Sequence, residues 1–381
     1  MITAKRLDTV QEYYFSKKLR EVAELRKAGK PIINLGIGSP DLPPPPQVVE
    51  KLNTALTDSG AHQYQPYKGI QELRNAMTGF YNKFYGLELD PNSEILPLMG
   101  SKEGIMHISM AFLNPGDEVL LPNPGYPTYS SVTKLLGAKE RNYELSSEND
   151  WLPDLDKLAS EDLSKVKIMW VNYPHMPTGA TATEKFFDEL TSFAEEHEIL
   201  VVNDNPYSFI QNEHPQSILR KNGLSDYVME LNSLSKSFNM AGWRVGMLSG
   251  SAKNINSVLK VKSNMDSGMF YPVQAGAVEA LKLSEEWFEG QNKIYASRKS
   301  KIEELIAEIG GTIETEQVGL FVWVKVPEGK TSENVVDELL YEKDIFIAPG
   351  FIFGSQGEGY MRFSLCASEE VIEEALERIK K

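Results

Sequence analysis

A single cysteine, Cys366, stands in 381 residues. No disulfide can close within the chain, and no cysteine-based metal site can form. Histidine is also scarce. The five present are scattered without metal-ligand spacing, so no metal is expected. Positive charge is in deficit, with 39 Lys and Arg against 54 Asp and Glu and a net charge of −15. That balance argues against a nucleic-acid or anionic-membrane surface, while leaving room for a local cationic cluster. Long apolar runs are missing too. The opening Met-Ile-Thr-Ala-Lys-Arg-Leu-Asp offers neither a signal peptide nor a membrane span, so the expectation is a cytoplasmic enzyme. There is no internal repeat and no low-complexity tract.

What is present is ordinary globular composition over a length that favours two domains. Continuous or alternating apolar stretches predict strands over 94–99, 118–121, 166–171, 199–203, 227–231 and 243–249. Between and around them, apolar residues at helical spacing predict helices over 7–28, 47–57, 70–84, 184–196, 255–261, 274–283 and 285–309. Alternation of this kind makes an α/β fold, with a mostly parallel central sheet and helices on both faces. The tail adds strands at 319–326, 345–348 and 360–365 with helices at 332–341 and 369–379, a smaller α+β unit. The expected division is a large domain over 44–283 and a small one made of 1–43 and 284–381. Pro43 to Pro46 make a stiff connector at the first crossing.

One stretch carries the chemistry. Residues 233–246 read Ser-Leu-Ser-Lys-Ser-Phe-Asn-Met-Ala-Gly-Trp-Arg-Val-Gly, and no acidic residue lies between Leu231 and Gly250. Without a carboxylate partner nearby in sequence, Lys236 can lose solvation, and its pKa then falls toward that of a nucleophilic amine. Ser233, Ser235 and Arg244 could hold a dianionic phosphate beside it. The plainer reading is a lysine in a polar loop. Polar residues recur just past other strand ends, where such sheets bind ligands. Gly100-Ser101-Lys102 opens a helix after a strand, a ready anion site or simply a cap. Asp204 and Tyr207 follow another strand, and Asn172 a third.

The lysine string resembles the cofactor-lysine segment of class I/II aminotransferases, pyridoxal-phosphate enzymes of fold type I. In the same order, Tyr64 to Arg74 resembles that family's Tyr-x-x-x-x-Gly-x-x-x-Leu-Arg, and Gly359 to Ser364 its substrate-arginine strand. The resemblance runs from Gly36 to Arg362. It implies pyridoxal 5'-phosphate bound through a Schiff base to Lys236, and a ping-pong transfer from an L-amino acid to a 2-oxo acid. It also implies Asp204 against the pyridine nitrogen, Tyr207 on the ring oxygen, and Tyr126 stacked on the ring. Gly100, Ser101, Lys102, Ser233, Ser235 and Arg244 fall around the phosphate, Asn172 and Met176 beside the ring, and Gly38 and Arg362 on the substrate side. Tyr64 is implied to serve the neighbouring subunit's phosphate, hence a homodimer with a shared site.

Two other activities share this scaffold: a carbon–sulfur β-lyase and a catalytically impaired homologue. A regulator on this fold carries an extra DNA-binding domain, which the acidic chain does not suggest. Neutral or aromatic substrates are favoured over aspartate, with a diamino acid such as diaminopimelate as a further candidate. One departure stands out. The family's Asn-Pro-Thr-Gly loop here reads Met176-Pro177-Thr178-Gly179. A thioether cannot donate the hydrogen bond that the asparagine gives to the cofactor. Asn172 or His175 are the candidates to compensate. Losing a bond to a charged group is worth roughly 1.5–3 kcal/mol. Met176→Asn is therefore expected to shift the Schiff-base pKa while cofactor binding persists. A pH titration of the Schiff-base absorbance that gives one and the same pKa for both proteins would refute this.

Overall fold

In the computed structural model, residues 3–10, 14–219 and 223–381 are described. The strands are β1 (Ile33–Asn34), β2 (Ile95–Leu98), β3 (Glu118–Asn123), β4 (Lys139–Glu144), β5 (Val166–Val171) and β6 (Leu200–Asp204). They continue with β7 (Val228–Ser233), β8 (Gly246–Gly250), β9 (Phe321–Lys325), β10 (Ile345–Phe346), β11 (Ala348–Pro349) and β12 (Tyr360–Ser364). The central sheet has the order β2-β8-β7-β6-β5-β3-β4. Its pairings are parallel except those of β8, which runs against both β2 and β7.

Burial on both faces explains the apolar strands. In β5, Ile168 and Trp170 point to one side and Met169 and Val171 to the other, and all four are buried. The first side is covered by helices Ser101–Phe112, Pro127–Leu135 and Ala252–Lys262 through Ile105, Ile108, Val132, Ile255 and Val258. Helices Gln71–Tyr85 and Glu184–Glu196 cover the second. The latter starts where the Thr183 side chain accepts from Phe186 N–H at 3.1 Å. It then buries Phe186, Phe187, Leu190 and Phe193, each contributing about 1.5–3 kcal/mol.

A smaller antiparallel sheet, β11-β12-β9, lies at the other end of the chain. The N-terminal segment is tied to it. β1 pairs with β10, and Ser364 N–H donates to the Leu35 carbonyl at 2.7 Å. Arg298, in the helix Glu285–Glu308, grips Asp41 bidentately at 2.7 and 2.8 Å. It also donates to the Leu365 carbonyl.

Two expected elements, over 7–28 and 243–249, need correction, and two further elements were not anticipated. The helix expected over 7–28 is a short 3-10 turn at Lys5–Thr9 followed by Tyr14–Lys27, and residues 11–13 lie outside the described residues. The turn ends where Thr9 Oγ1 donates back to the Arg6 carbonyl, and Leu7 stays exposed. Strand β4 was not expected. It is an edge strand of mostly charged residues with only Tyr143 buried, so it carries no apolar signature. The stretch after β3 is a helix from Pro127, which occupies the first helical position that proline favours. Finally, β8 begins at Gly246 rather than at 243, because Arg244 takes a left-handed φ of 57°.

Arg298 is buried and Asp41 only partly so. Asp41→Ala leaves the guanidinium short of its counter-charge, and a loss of about 3 kcal/mol is expected in urea unfolding. A loss under about 1 kcal/mol would show the pair to be a dispensable surface contact.

Candidate active site

The ends of β3, β5, β6 and β7 and the turns after β2 and before β8 open at one edge of the central sheet. They enclose a cavity of about 450 Å³. Lys236 sits in the short helix Leu234–Ser237 directly after β7, where Ser233 caps Ser235 N–H at 3.1 Å. Its Nζ donates to the Gly38 carbonyl at 2.5 Å. Loss of solvation lowers its pKa, and the Arg362 and Arg244 charges push the same way against the Cys366 thiol. The amine is thus biased toward its neutral, nucleophilic form.

Asp204 closes β6 and is buried. Its Oδ2 accepts from the Tyr129 hydroxyl at 2.9 Å, and its Oδ1 has no partner among the described residues. Burial pushes the carboxyl up to about 6, and the Tyr129 hydrogen bond opposes the rise. Tyr207 is buried three residues on, its phenol raised by burial and eased by the Arg362 charge. Tyr126 packs edge-on against Tyr129, which stacks on Trp170 with centroids 5.0 Å apart.

The register of the sheet builds the cationic end. Leu98 and Ser233 both pair with Gly246. Arg244, two residues before Gly246, therefore meets Gly100, two residues after Leu98. A Cβ on Gly100 would lie 2.1 Å from Arg244 Nη2, and this glycine has φ 87°, so a side chain there would displace the guanidinium and strain the backbone. Arg244 Nη1 donates to the Ala241 carbonyl at 2.8 Å and reaches Ser235 Oγ at 3.4 Å. The helix Ser101–Phe112 starts beside it, with first-turn N–H groups that have no helical acceptor.

Arg362 enters from β12. Its guanidinium lies between the rings of Phe321 and Phe353, 3.8 and 4.6 Å from their centroids. Nη2 donates to the Gly36 carbonyl at 2.9 Å, while among the described residues Nη1 meets only the Met176 sulfur at 3.3 Å and Nε has no partner. Burial lowers its pKa to about 10. A buried cation with a weak sulfur acceptor and a spare N–H is suited to an incoming carboxylate.

The model of the aminotransferase class I and II family matches residues 30–379. The chain belongs to the class I and II aminotransferases. It is similar to the LL-diaminopimelate aminotransferases of Dehalococcoides mccartyi, 40% identical over 100% of this chain and 98% of that protein, and of Aquifex aeolicus, 41% over 98% and 97%. Among solved structures it resembles substrate-bound BacF of Bacillus subtilis, with TM-score 0.94 and 34% identity over 100% and 98%. A Thermus thermophilus aspartate aminotransferase double mutant gives TM-score 0.92 and 26% identity over 99% and 98%. These neighbours confirm a fold of type I, and this family is in general one of pyridoxal-phosphate enzymes. The chain is an aminotransferase.

Of the residues singled out from sequence, Gly38, Ser101, Lys102, Tyr126, Asn172, Met176, Asp204, Tyr207, Ser233, Ser235, Lys236, Arg244 and Arg362 line this aminotransferase's cavity. Gly100 sits at its edge, under Arg244. Tyr64 is not brought to the cavity within one chain and is 90% exposed. Of the two proposed substitutes for the missing asparagine, Asn172 lines the cavity and His175 does not. Asn172 gives its amide to the Asp204 carbonyl and accepts Met176 N–H at 2.9 Å. His175 turns to Thr178, outside the cavity. Three contributors were missed. Tyr129 stands one residue beyond the helix-starting Pro127-Thr128 pair, a signal that placed it three residues after Tyr126 on a first turn. Phe321 and Phe353 come from distant segments, and no local pattern marks them. Away from the cavity, ligand atoms of Glu103, His107 and Asp266 lie within 4.8 Å of one another, but buried Lys262 already supplies a cation to Asp266 at 2.5 Å.

Asp204 has a raised pKa, so its stability contribution is full below the unfolded value and is lost as pH rises through about 6. Without ligand, Asp204→Asn is expected to gain about 2 kcal/mol over wild type on going from pH 4 to pH 8. Denaturant unfolding at the two pH values measures it; a pH-independent difference would show that the carboxylate is not strained.

Proposed function

We propose that this aminotransferase holds pyridoxal 5'-phosphate in the Lys236 cavity and moves an amino group from an L-amino acid to a 2-oxo acid by a ping-pong cycle. The observation that carries the reading is Asp204 Oδ1, a buried carboxylate oxygen without a partner in a cavity that also holds a desolvated lysine. A protonated pyridine nitrogen is the donor that such an oxygen lacks. Bound there, the cofactor supplies the electron sink for negative charge at the substrate Cα.

The chain's own groups do the rest. Tyr129 holds Asp204 by one oxygen and leaves the other for the ring nitrogen. Lys236 offers Nζ for covalent attachment and, once the substrate has replaced it, takes the proton from the substrate Cα. Tyr207 donates to the ring oxygen, and Tyr126 covers a ring face. Arg244, Ser235 and the first-turn N–H groups of Ser101 and Lys102 take the phosphate. Ser233 acts by capping Ser235. Arg362 takes the α-carboxylate, which replaces the Met176 sulfur as its acceptor, near Gly38. The division into 44–283 and 1–43 with 284–381 separates the cofactor-holding groups from Arg362, so the carboxylate grip can move relative to the cofactor. Tyr64, exposed in one chain, serves the site of a second copy in a homodimer.

Two donor classes go into the test. The curated relatives carry the name LL-diaminopimelate aminotransferase. The walls offered by Tyr14, Phe15, Phe321 and Ile352 suit a neutral or aromatic side chain. The cofactor-loaded protein is mixed with LL-diaminopimelate or with single neutral and aromatic amino acids, without oxo acid, and its absorbance followed. Conversion to the aminated cofactor by one class is expected and names the donor. Release of pyruvate and ammonia with return of the aldehyde form would instead mark a β-lyase, and a persistent band with every donor an impaired homologue. In a separate measurement, Tyr64→Phe is expected to weaken cofactor retention, with dilution below the dimer dissociation constant abolishing activity. A fully active monomer would exclude the shared site.

A further inference from the structure

Behind the cavity, on the opposite face of the central sheet, Glu230 is fully buried in β7. It is in register with Asn203 of β6 and Ser249 of β8. Its strand neighbours Met229 and Leu231 are apolar and equally buried. Among the described residues no cation pairs with it. Donors meet it instead: the Tyr81 hydroxyl at 3.0 Å on Oε1, and Asn203 Nδ2 at 3.3 Å and Ile218 N–H at 3.1 Å on Oε2.

Asn203 passes this contact on. A primary amide has one donor end and one acceptor end. Burial pushes the Glu230 carboxyl up to about 7, but Oε2 accepts Ile218 N–H and so faces Asn203 as an acceptor in either protonation state, drawing the Nδ2 end toward itself. That leaves Oδ1 to accept Tyr173 N–H at 2.9 Å, while Nδ2 also reaches the Tyr173 carbonyl at 3.4 Å. Tyr173 follows Asn172, whose side chain joins the Asp204 carbonyl to Met176 N–H. Met176 in turn touches Arg362 through its sulfur at 3.3 Å. Continuous contacts therefore run through the sheet from Glu230 to the guanidinium.

We propose that Glu230 is a positioning residue: acting through Asn203, it sets the segment 172–176 against Arg362 and so fixes where the substrate carboxylate binds. The kinetic half of this rests on the reading of Arg362 as the carboxylate grip. The structural half, ordering of the segment, stands without it. Glutamine at 230 can make the same contacts, its oxygen accepting from Asn203 and Ile218 and its amide donating to Tyr81. Leucine makes none.

The test compares wild type with Glu230→Gln and Glu230→Leu in the cofactor-loaded protein. Amide hydrogen exchange is read on peptides covering 172–179, with 200–204 and 228–233 as controls. Glu230→Leu is expected to speed exchange in 172–179 by about tenfold, with the controls nearly unchanged and Glu230→Gln like wild type. In steady-state kinetics, Glu230→Leu is expected to raise KM for the amino donor about tenfold with kcat within about twofold. Unchanged exchange in 172–179, or equal damage from Gln and Leu, overturns the proposal. A wild type inactive with every donor defeats the functional reading, while the exchange result still decides the relay. Should Glu230→Leu give no folded protein, Asn203→Leu carries both readouts. Loss of folded protein there too would mean that the pair holds the whole sheet, and the proposal falls.

Discussion

A strand in a sheet turns successive side chains to opposite faces, and that constraint organises this molecule. At the end of β6 it sends Asp204 into the cavity and Asn203 to the far side, where Glu230 waits in register. Neither face has room for error, because a slip of one residue in β6 against β7 would exchange the two sets. The parallel pairing then brings the carboxyl ends of β3, β5, β6 and β7 to one edge. Lys236, Asp204, Asn172 and Tyr126 come together there, although up to 110 residues separate them in the chain.

The electrostatics of the cavity invert those of the protein. A chain with net charge −15 gathers Lys236, Arg244 and Arg362 around one carboxylate, Asp204. Each cation lacks something. Lys236 has a carbonyl for a partner, Arg362 a carbonyl, a thioether and two aromatic faces, and Arg244 a carbonyl and a distant serine. Lys236 and Arg362 are shielded from water, so groups held this loosely there are costly to the free protein, and the site favours anions that arrive together with a donor for Asp204. Arg244 also holds a left-handed backbone, a conformation costing on the order of 1–3 kcal/mol in a residue other than glycine. Strain of that kind at the cationic end of the cavity fits a site built for binding rather than for stability.

Much of this was legible from one dimension. The apolar run Val166–Val171 and the amphipathic helix Glu184–Glu196 come out with the same bounds in the structure, because burial on two faces and on one stripe leave distinct periods. Strand β4 left no such period, since as an edge strand it buries little but Tyr143. The helix from Tyr14 failed as a single 7–28 element because the backbone turns extended at Val10, after the 3-10 turn. At the site, the string 233–246 was readable since its parts are adjacent. The aromatic clamp on Arg362 was not, as Phe321 and Phe353 reach it from separate segments.

By itself the sequence determined the α/β alternation and the family resemblance, and it singled out Lys236 as the candidate amine, all from residue type and local order. It also showed that methionine replaces the expected asparagine at 176. Only the tertiary structure decided where that methionine points, at Arg362, and that Asn172 lines the cavity while His175 turns to Thr178. It also decided which oxygen of Asp204 stays open and that a second, buried carboxylate stands behind the site. Hydrogen bonds between strands depend on register and distance in space, and neither is written in the spacing of residues along the chain.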